Sequence, residues 1–286
     1  MNTPKTVAIY HKDCTDGTTA AAIVLRKYPD ALVIPLSHGF EQEEINAVLK
    51  QINQGDQVFT VDCVIGVKEL LAAGHKVTSL DHHAGAYEEY LQLAKENPAF
   101  TYIFDNKKSG SSLSWSYFFP NEEVPELVKL VEDADLWNWK YGDDTKFINN
   151  YLFMYMNQPL ETLNFMKSSL DQIKRDGAVI ARYSDIIINH DTVHTAPVMV
   201  KVGDYTVPFY NVTNNKSAAG NILTKVAEKA VGLFTIDGPI LKISFRSLDG
   251  QSPSSLDIAK VLGGGGHRNS SGAAMKLETF LTSIVA

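Results

Sequence analysis

The chain has 286 residues, 44% of them hydrophobic and 21% charged, with a formal net charge of −7. That is mass enough for two domains and a sizeable core. The charge excludes a protein that grips long duplexes by counterion release, and no apolar run reaches the roughly 20 residues of a membrane helix. Two cysteines, Cys14 and Cys63, make no disulfide framework. The first five residues lead towards a strand without a basic-then-apolar leader, so the expectation is a reduced, cytoplasmic protein. A small anionic substrate in one locally positive pocket remains compatible with the charge, and nothing in the sequence signals an oligomeric state.

Thr6–Tyr10 is a nearly all-apolar run of the kind that forms a buried parallel strand. It opens into His11-Lys12-Asp13-Cys14-Thr15-Asp16-Gly17, followed by a helix with small residues at its start. Strand, polar loop and helix form the unit that presents ligands at the carboxyl end of a parallel strand, although the same loop also reads as an Asx-rich helix cap. The rhythm repeats through strand Asp30–Pro35, helix Glu41–Asn53, strand Asp56–Asp62, helix Val67–Ala73, a strand ending in Asp81-His82-His83, and strand Ala99–Asp105. Four runs thus end in Asp, or in His with an Asp soon after. One such Asp is a common cap. Four on one sheet edge form an acidic rim that repels itself without cations.

Ser109-Gly110-Ser111-Ser112 opens a helix over Leu113–Phe119, chiefly as a cap and secondarily as an oxyanion contact. Pro125–Val131 is a helix running into Asp133-Ala134-Asp135-Leu136-Trp137-Asn138-Trp139, whose tryptophans read as packing rather than base-stacking platforms. From Pro159 to about Asn189 the spacing is helical, with a bend expected at Lys174–Gly177, and suits a connector between domains. Val198–Tyr210 reads as a hairpin turning at Gly203-Asp204. Helix Ala218–Val231, strands Gly232–Ile236 and Ile240–Arg246, and helix Asp257–Leu262 complete a smaller mixed domain. Its tail carries Gly263-Gly264-Gly265-Gly266-His267-Arg268-Asn269. Consecutive glycines give up backbone entropy, which makes sense where amides approach an anion and His267 and Arg268 add donors. A flexible turn is the plain alternative. Arg246 suits a bidentate grip on phosphate, or is a charge on an edge strand.

The expected fold is therefore α/β in two domains: an N-terminal parallel-sheet domain over 1–158, a helical connector over 159–190, and a smaller mixed α/β domain over 191–286, with a cleft between. Carboxylates with one or two imidazoles and no thiolate suit hard divalent ions such as manganese or magnesium. Two such ions lower the pKa of a shared water towards neutrality for attack on phosphorus, and a nearby histidine can bind a phosphoryl oxygen or protonate the leaving oxygen. The inventory His11, Asp13, Asp16, Asp62, His82 and Asp135, with His83 to spare, has that size and type.

His11-x-Asp13-x-x-Asp16-Gly17, Asp62, Asp81-His82-His83, Asp105 before Ser109-Gly110, Asp135-x-Trp137 and the glycine-rich tail stand in an order that resembles the DHH-family phosphoesterases with their associated C-terminal domain, over nearly the whole chain. Asp135-Leu136-Trp137-Asn138-Trp139 resembles the branch of bacterial oligoribonucleases, or nanoRNases. The resemblance implies that His11, Asp13, Asp16, Asp62, His82 and Asp135 bind two manganese ions (magnesium being the variant), with Asp62 bridging. It implies further that His83 faces the scissile phosphate, Asp81 orients without binding metal, and Arg246, Ser247, Gly264, Gly265, Gly266, His267, Arg268 and Asn269 hold substrate across the cleft. The family's first motif sets its carboxylates one residue apart, whereas two residues separate Asp13 from Asp16, so Asp13 is held less firmly, and Asp133 stands as a substitute for Asp135.

The function expected is hydrolysis of short oligoribonucleotides to mononucleotides. Cleavage of cyclic or linear dinucleotides or of nucleoside bisphosphates, exopolyphosphatase or pyrophosphatase activity, and non-catalytic nucleotide sensing are the alternatives. Tyr210 and Phe245 are candidate base contacts.

Overall fold

In a computed structural model, residues 5–37 and 40–285 are described, so most of the lead-in expected over the first five residues lies outside the described part. The chain divides into two compact units, Met1–Ala181 and Arg182–Ala286.

The first unit alternates β1 (Thr6–His11), α1 (Thr15–Lys27), β2 (Leu32–Leu36), α2 (Gln42–Leu49), β3 (Gln57–Val61), α3 (Val67–Ala72), β4 (Val77–Asp81), α4 (Tyr87–Glu96) and β5 (Phe100–Phe104). Its five strands are all parallel, in the order β2-β1-β3-β4-β5. Because successive strand residues face opposite ways, Val7 and Ile9 pack into one core with Ile45, Val58 and Leu70, while Ala8 and Tyr10 pack into the other with Ala20, Ile23, Phe59 and Leu113. Both sheet faces are thus covered by helices, as a parallel sheet requires. The chain leaves β1 for β2 on one side and returns to β3 on the other, so the strand order reverses between β1 and β3. In open α/β sheets ligands bind at the carboxyl ends of strands at such a switch point.

After β5 come α5 (Gly110–Phe118), α6 (Glu126–Asp135), α7 (Asp143–Phe153), α8 (Pro159–Met166) and α9 (Asp171–His194). The helical stretch expected from Pro159 breaks at residues 167–170, not at Lys174–Gly177. Gly177 lies inside α9 because a Cβ there would sit 2.1 Å from the Phe147 carbonyl oxygen of α7. It is a packing glycine, not a breaker.

The second unit contains β6 (Val198–Val202), β7 (Tyr205–Asn211), α10 (Lys216–Ala227), β8 (Val231–Asp237), β9 (Ile240–Arg246), α11 (Ser255–Val261), β10 (Gly265–His267), β11 (Ser270–Lys276) and α12 (Leu277–Thr282). Its mixed sheet runs β10-β11-β9-β8-β7-β6, antiparallel except between β7 and β8. The hairpin turns at Gly203, with φ +58°, as its two-residue loop demands. Tyr210 and Phe245 are buried in the cores of this unit, which removes them as base contacts. Arg246 ends β9, an interior strand and not an edge one.

The glycine-rich tail also differs from a loop open to an anion. It forms the edge strand β10, with Gly265, Gly266 and His267 opposite Gly272, Ser271 and Ser270. A Cβ on Gly264 would lie 2.1 Å from the Gly272 carbonyl oxygen, and Gly266, at φ +132°, would meet Ser270. These two glycines serve backbone approach within the hairpin, while a Cβ on Gly265 would meet no described atom within 4 Å.

Candidate metal centre

The two strands that flank the switch point, and β4 beside them, each deliver an ionisable group to the carboxyl end. β1 ends on His11, β3 is followed at once by Asp62, and β4 ends on Asp81 with His82 and His83 next. Asp16 comes from the first turn of α1 and Asp135 is the last residue of α6. Asp62 occupies the left-handed region at φ +58°, a conformation that costs a non-glycine residue of order 1 kcal/mol and turns its side chain off the strand path.

Asp62 is the centre of the group and is 1% exposed. His82 Nε2 lies 3.1 Å from its Oδ1, and His11 Nδ1 lies 3.5 Å from its Oδ2. Neither contact has hydrogen-bond alignment, so among the described residues both carboxylate oxygens lack a bonded donor. Burial disfavours a charged Asp62, but the two imidazoles outweigh it and hold the carboxyl well below the usual range. His82 Nε2 also stands 3.6 Å from Asp135 Oδ2. Burial opposes a charge on His82; Asp62, Asp135 and Asp16 override it and lift the imidazole to about 10.

Asp16 accepts the Ser109 hydroxyl proton at 2.7 Å and the Ser111 N–H at 3.1 Å through Oδ1, while its buried Oδ2 has no described partner. Burial first, then the Asp62 charge, pushes the Asp16 carboxyl up to about 6. Burial, followed by Asp16, raises Asp135 well above the ordinary range. The cluster therefore crowds three carboxylates around two imidazoles, and burial and mutual repulsion raise two of those carboxylates. Such crowding is relieved by a cation.

Two donor groups emerge from described residues of the first unit alone. His11, Cys14 and Asp62 place ligand atoms within 4.8 Å of one another, and so do Asp16, His82 and Asp135. Asp62 touches an imidazole of each group, the placement a shared carboxylate needs. These orphaned oxygens and this donor chemistry fit divalent metal binding.

His83 stands beside them, 4.5 Å from the His82 ring and 5.7 Å from the His11 ring, centroid to centroid. Asp81, fully buried, holds His83 Nδ1 at 2.7 Å and accepts the Tyr102 hydroxyl at 3.3 Å. A carboxylate on Nδ1 fixes the proton there and leaves Nε2 as the reactive nitrogen.

Asp13 does not join either group. Its φ of +56° turns it to Asn157, whose Nδ2 donates to Asp13 Oδ1 at 2.6 Å while Asp13 N–H donates to Asn157 Oδ1 at 3.0 Å. The expected acid from β5 also drops out, because Asp105 accepts the Lys107 N–H at 2.9 Å to make a local turn. Asp133 closes the loop after α6 by accepting Lys140 N–H at 2.9 Å, Tyr141 N–H at 3.1 Å and the Thr145 hydroxyl. Burial would raise its pKa, but these bonds lower it. Asp133→Ala should cost about 3 kcal/mol of stability, measured by urea unfolding, because several donors lose a charged acceptor. Since the folded carboxyl titrates below its unfolded value of about 4, this contribution is whole above that pH. It drains away as pH falls through the folded pKa.

Trp137 and Trp139, expected as packing, are 43% and 38% exposed, at φ +58° and +54°, with ring centroids 5.0 Å apart. Sequence reasoning also passed over Cys14 as a ligand, and gave the Ser109–Ser112 stretch a capping role with a secondary oxyanion contact, not the support of Asp16. Ser109 does cap α5, accepting Ser112 N–H, yet the same hydroxyl holds Asp16.

In the second unit Arg246 spends Nη1 on Ser244 Oγ at 3.0 Å and the Phe245 carbonyl at 2.8 Å, and Nη2 on Ser217 Oγ at 2.8 Å. Lys216 lies close by, its pKa lowered by burial and then by Arg246. Ser247 Oγ donates towards the Arg268 carbonyl at 3.3 Å and Asn269 Oδ1 at 3.2 Å, and Asn269 Nδ2 donates to Asp249. These residues knit one turn to the end of β9.

No protein-family model matches the chain. The uncharacterized protein R106 of Acanthamoeba polyphaga mimivirus is 27% identical over 290 residues, covering 94% of this chain and 67% of its own length. RecJ of Thermus thermophilus, solved in complex with Mn2+, is similar with a TM-score of 0.59 at 17% identity, over 97% of this chain and 50% of that one. The pGpG-specific phosphodiesterase PggH of Vibrio cholerae is similar with a TM-score of 0.51 at 13% identity, over 96% and 94%. This chain thus spans about half the RecJ chain. What both solved neighbours share with this chain is the two-unit α/β fold. Among the described residues no helix is long and apolar enough to cross a membrane.

Proposed function

We propose that this protein is a divalent-metal-dependent phosphodiesterase acting on short oligoribonucleotides, with a linear dinucleotide as the second reading. The observation that carries the proposal is Asp62, buried, short of bonded donors, and flanked by an imidazole from each of two donor groups at the switch point of a parallel sheet. The fold shared with a Mn2+-bound RecJ and a pGpG-specific phosphodiesterase supports it and favours the second reading's inclusion.

Bound manganese or magnesium supplies an acidified water and neutralises phosphate charge. Asp16, Asp62, His11, His82 and Asp135 hold the cations, and Ser109 and Ser111 keep Asp16 from rotating away. His83, oriented by Asp81 at Nδ1, presents Nε2; as the imidazolium it would donate that N–H to a phosphoryl oxygen or give its proton to the leaving oxygen. Arg246, with the missed Lys216, supplies positive charge for a substrate phosphate; Ser247, His267, Arg268 and Asn269 frame the same turn. Trp137 and Trp139, exposed just beyond Asp135, offer stacking faces for a base, which favours nucleotides over polyphosphate.

The test is Mn2+-dependent hydrolysis of an RNA trimer, linear and cyclic dinucleotides, a nucleoside 3′,5′-bisphosphate and polyphosphate. Trimer or linear dinucleotide should lead. Trp137→Ala should raise KM for the nucleotide about tenfold, a stacking energy of ~1.5 kcal/mol, and leave polyphosphate turnover unchanged. Polyphosphate as the best substrate would overturn the nucleotide assignment.

A further inference from the structure

The hard-ligand inventory read from the sequence contains no sulfur, but the folded site does. We propose that Cys14 is a direct metal ligand, making one half of the centre a sulfur-containing site for thiophilic divalent ions such as Zn2+ while the other half keeps only nitrogen and oxygen donors. This rests on the metal-centre reading above and concerns which ion each half takes.

Four observations carry it. Cys14 Sγ, a His11 ring nitrogen and an Asp62 oxygen all lie within 4.8 Å of one another, whereas the partner group of Asp16, His82 and Asp135 has no sulfur. The carboxylate facing this thiol, Asp62, is 1% exposed, and its two oxygens face only imidazoles, at 3.5 and 3.1 Å, without an aligned hydrogen bond from a described donor, so the pocket holds a buried carboxylate open to a further partner. Cys14 occupies the N-cap of α1 without a capping hydrogen bond from its side chain. That position strongly prefers Ser, Thr, Asp or Asn, so the thiol sits where capping alone would select another residue. Finally Asp13, the expected ligand from this loop, is bonded to Asn157 and joins neither group.

Imidazole, thiolate and carboxylate together suit Zn2+, Co2+ or Fe2+, while carboxylates with one imidazole suit Mn2+ and Mg2+. The thiol ligates as the thiolate, so its proton is released to solvent on binding. The two halves should therefore fill with different ions from a mixture.

Full-length protein stripped of metal and titrated with Co2+ under anaerobic conditions tests this directly. The expected result is a thiolate-to-cobalt charge-transfer band in the near ultraviolet. The band should vanish in Cys14→Ser and Cys14→Asp and persist in Cys63→Ala, which removes the other cysteine. Cys14→Asp restores a ligand, so it should still bind two ions by equilibrium dialysis against Mn2+ while losing at least roughly tenfold in its preference for Zn2+ over Mn2+. Two bound Co2+ without the band, or a band that survives in Cys14→Ser, would overturn the thiolate assignment and leave the phosphodiesterase reading standing. Failure to bind Co2+ at all would remove both.

Discussion

Asp62→Asn should abolish metal-dependent phosphodiester hydrolysis, with kcat reduced on the order of 10³-fold, while the fold persists by circular dichroism. The amide keeps the volume but removes the charge that His11 and His82 face at 3.5 and 3.1 Å. It also replaces one of two acceptor oxygens with a donor. Because Asp62 contacts an imidazole of both donor groups, the variant should lose capacity for both ions, not one, in equilibrium dialysis. His82→Ala spares Asp62, so it should retain binding in the His11–Cys14 half. A variant pair with identical metal contents would mean that Asp62 is not shared.

The second large effect comes from a residue without a side chain. Gly110 opens α5 against the backbone of Asp62: a Cβ there would lie 2.5 Å from Asp62 Cβ and 2.6 Å from its Cα. Real Cβ contacts do not come that near, so Gly110→Ala must push either α5 or the end of β3. It should cost about 3 kcal/mol of stability, read in urea unfolding, and depress metal binding because the displaced residue is the shared carboxylate. Gly17→Ala, whose Cβ would fall 2.4 Å from the His11 carbonyl oxygen, should behave similarly. Gly265→Ala, which meets no described atom within 4 Å, should stay within about 0.5 kcal/mol of wild type. Equal effects in all three would show that the glycines act through backbone entropy and not through close approach.

These two positions show which parts of the site the sequence makes legible. Apolar runs of strand length ending in Asp or His identify the sheet and its acidic edge, because burial on both faces leaves a parallel strand little choice of composition. Asp62, His82 and Asp16 follow from that edge, whereas Asp135, at the end of α6, rests on the family resemblance; the fold brings all four near one another. What periodicity does not carry is the direction of a side chain in a loop. Asp13 and Cys14 are neighbours, and a positive φ at Asp13 sends its carboxylate to Asn157, 144 residues away in sequence. Only the tertiary partner decides that. The same holds for Trp137 and Trp139, whose left-handed backbone, pinned by the Asp133 loop, turns them outward.

Glycines are the other source of error. Gly177 reads as a helix breaker by propensity, yet its role is contact with the Phe147 carbonyl, and the break falls upstream where Ser168 and Ser169 precede α9. The tail glycines read as an anion loop, whereas two of them permit a hairpin. In each case local propensity is correct about flexibility and silent about the neighbour that requires it.

The decisive experiment uses a substrate that needs no base recognition. Hydrolysis of bis(p-nitrophenyl) phosphate should be undetectable after chelation, return on adding Mn2+, and be lost in Asp62→Asn. Turnover that survives chelation, or its absence from wild-type protein shown to hold two ions per chain, would contradict a metal-dependent phosphodiesterase.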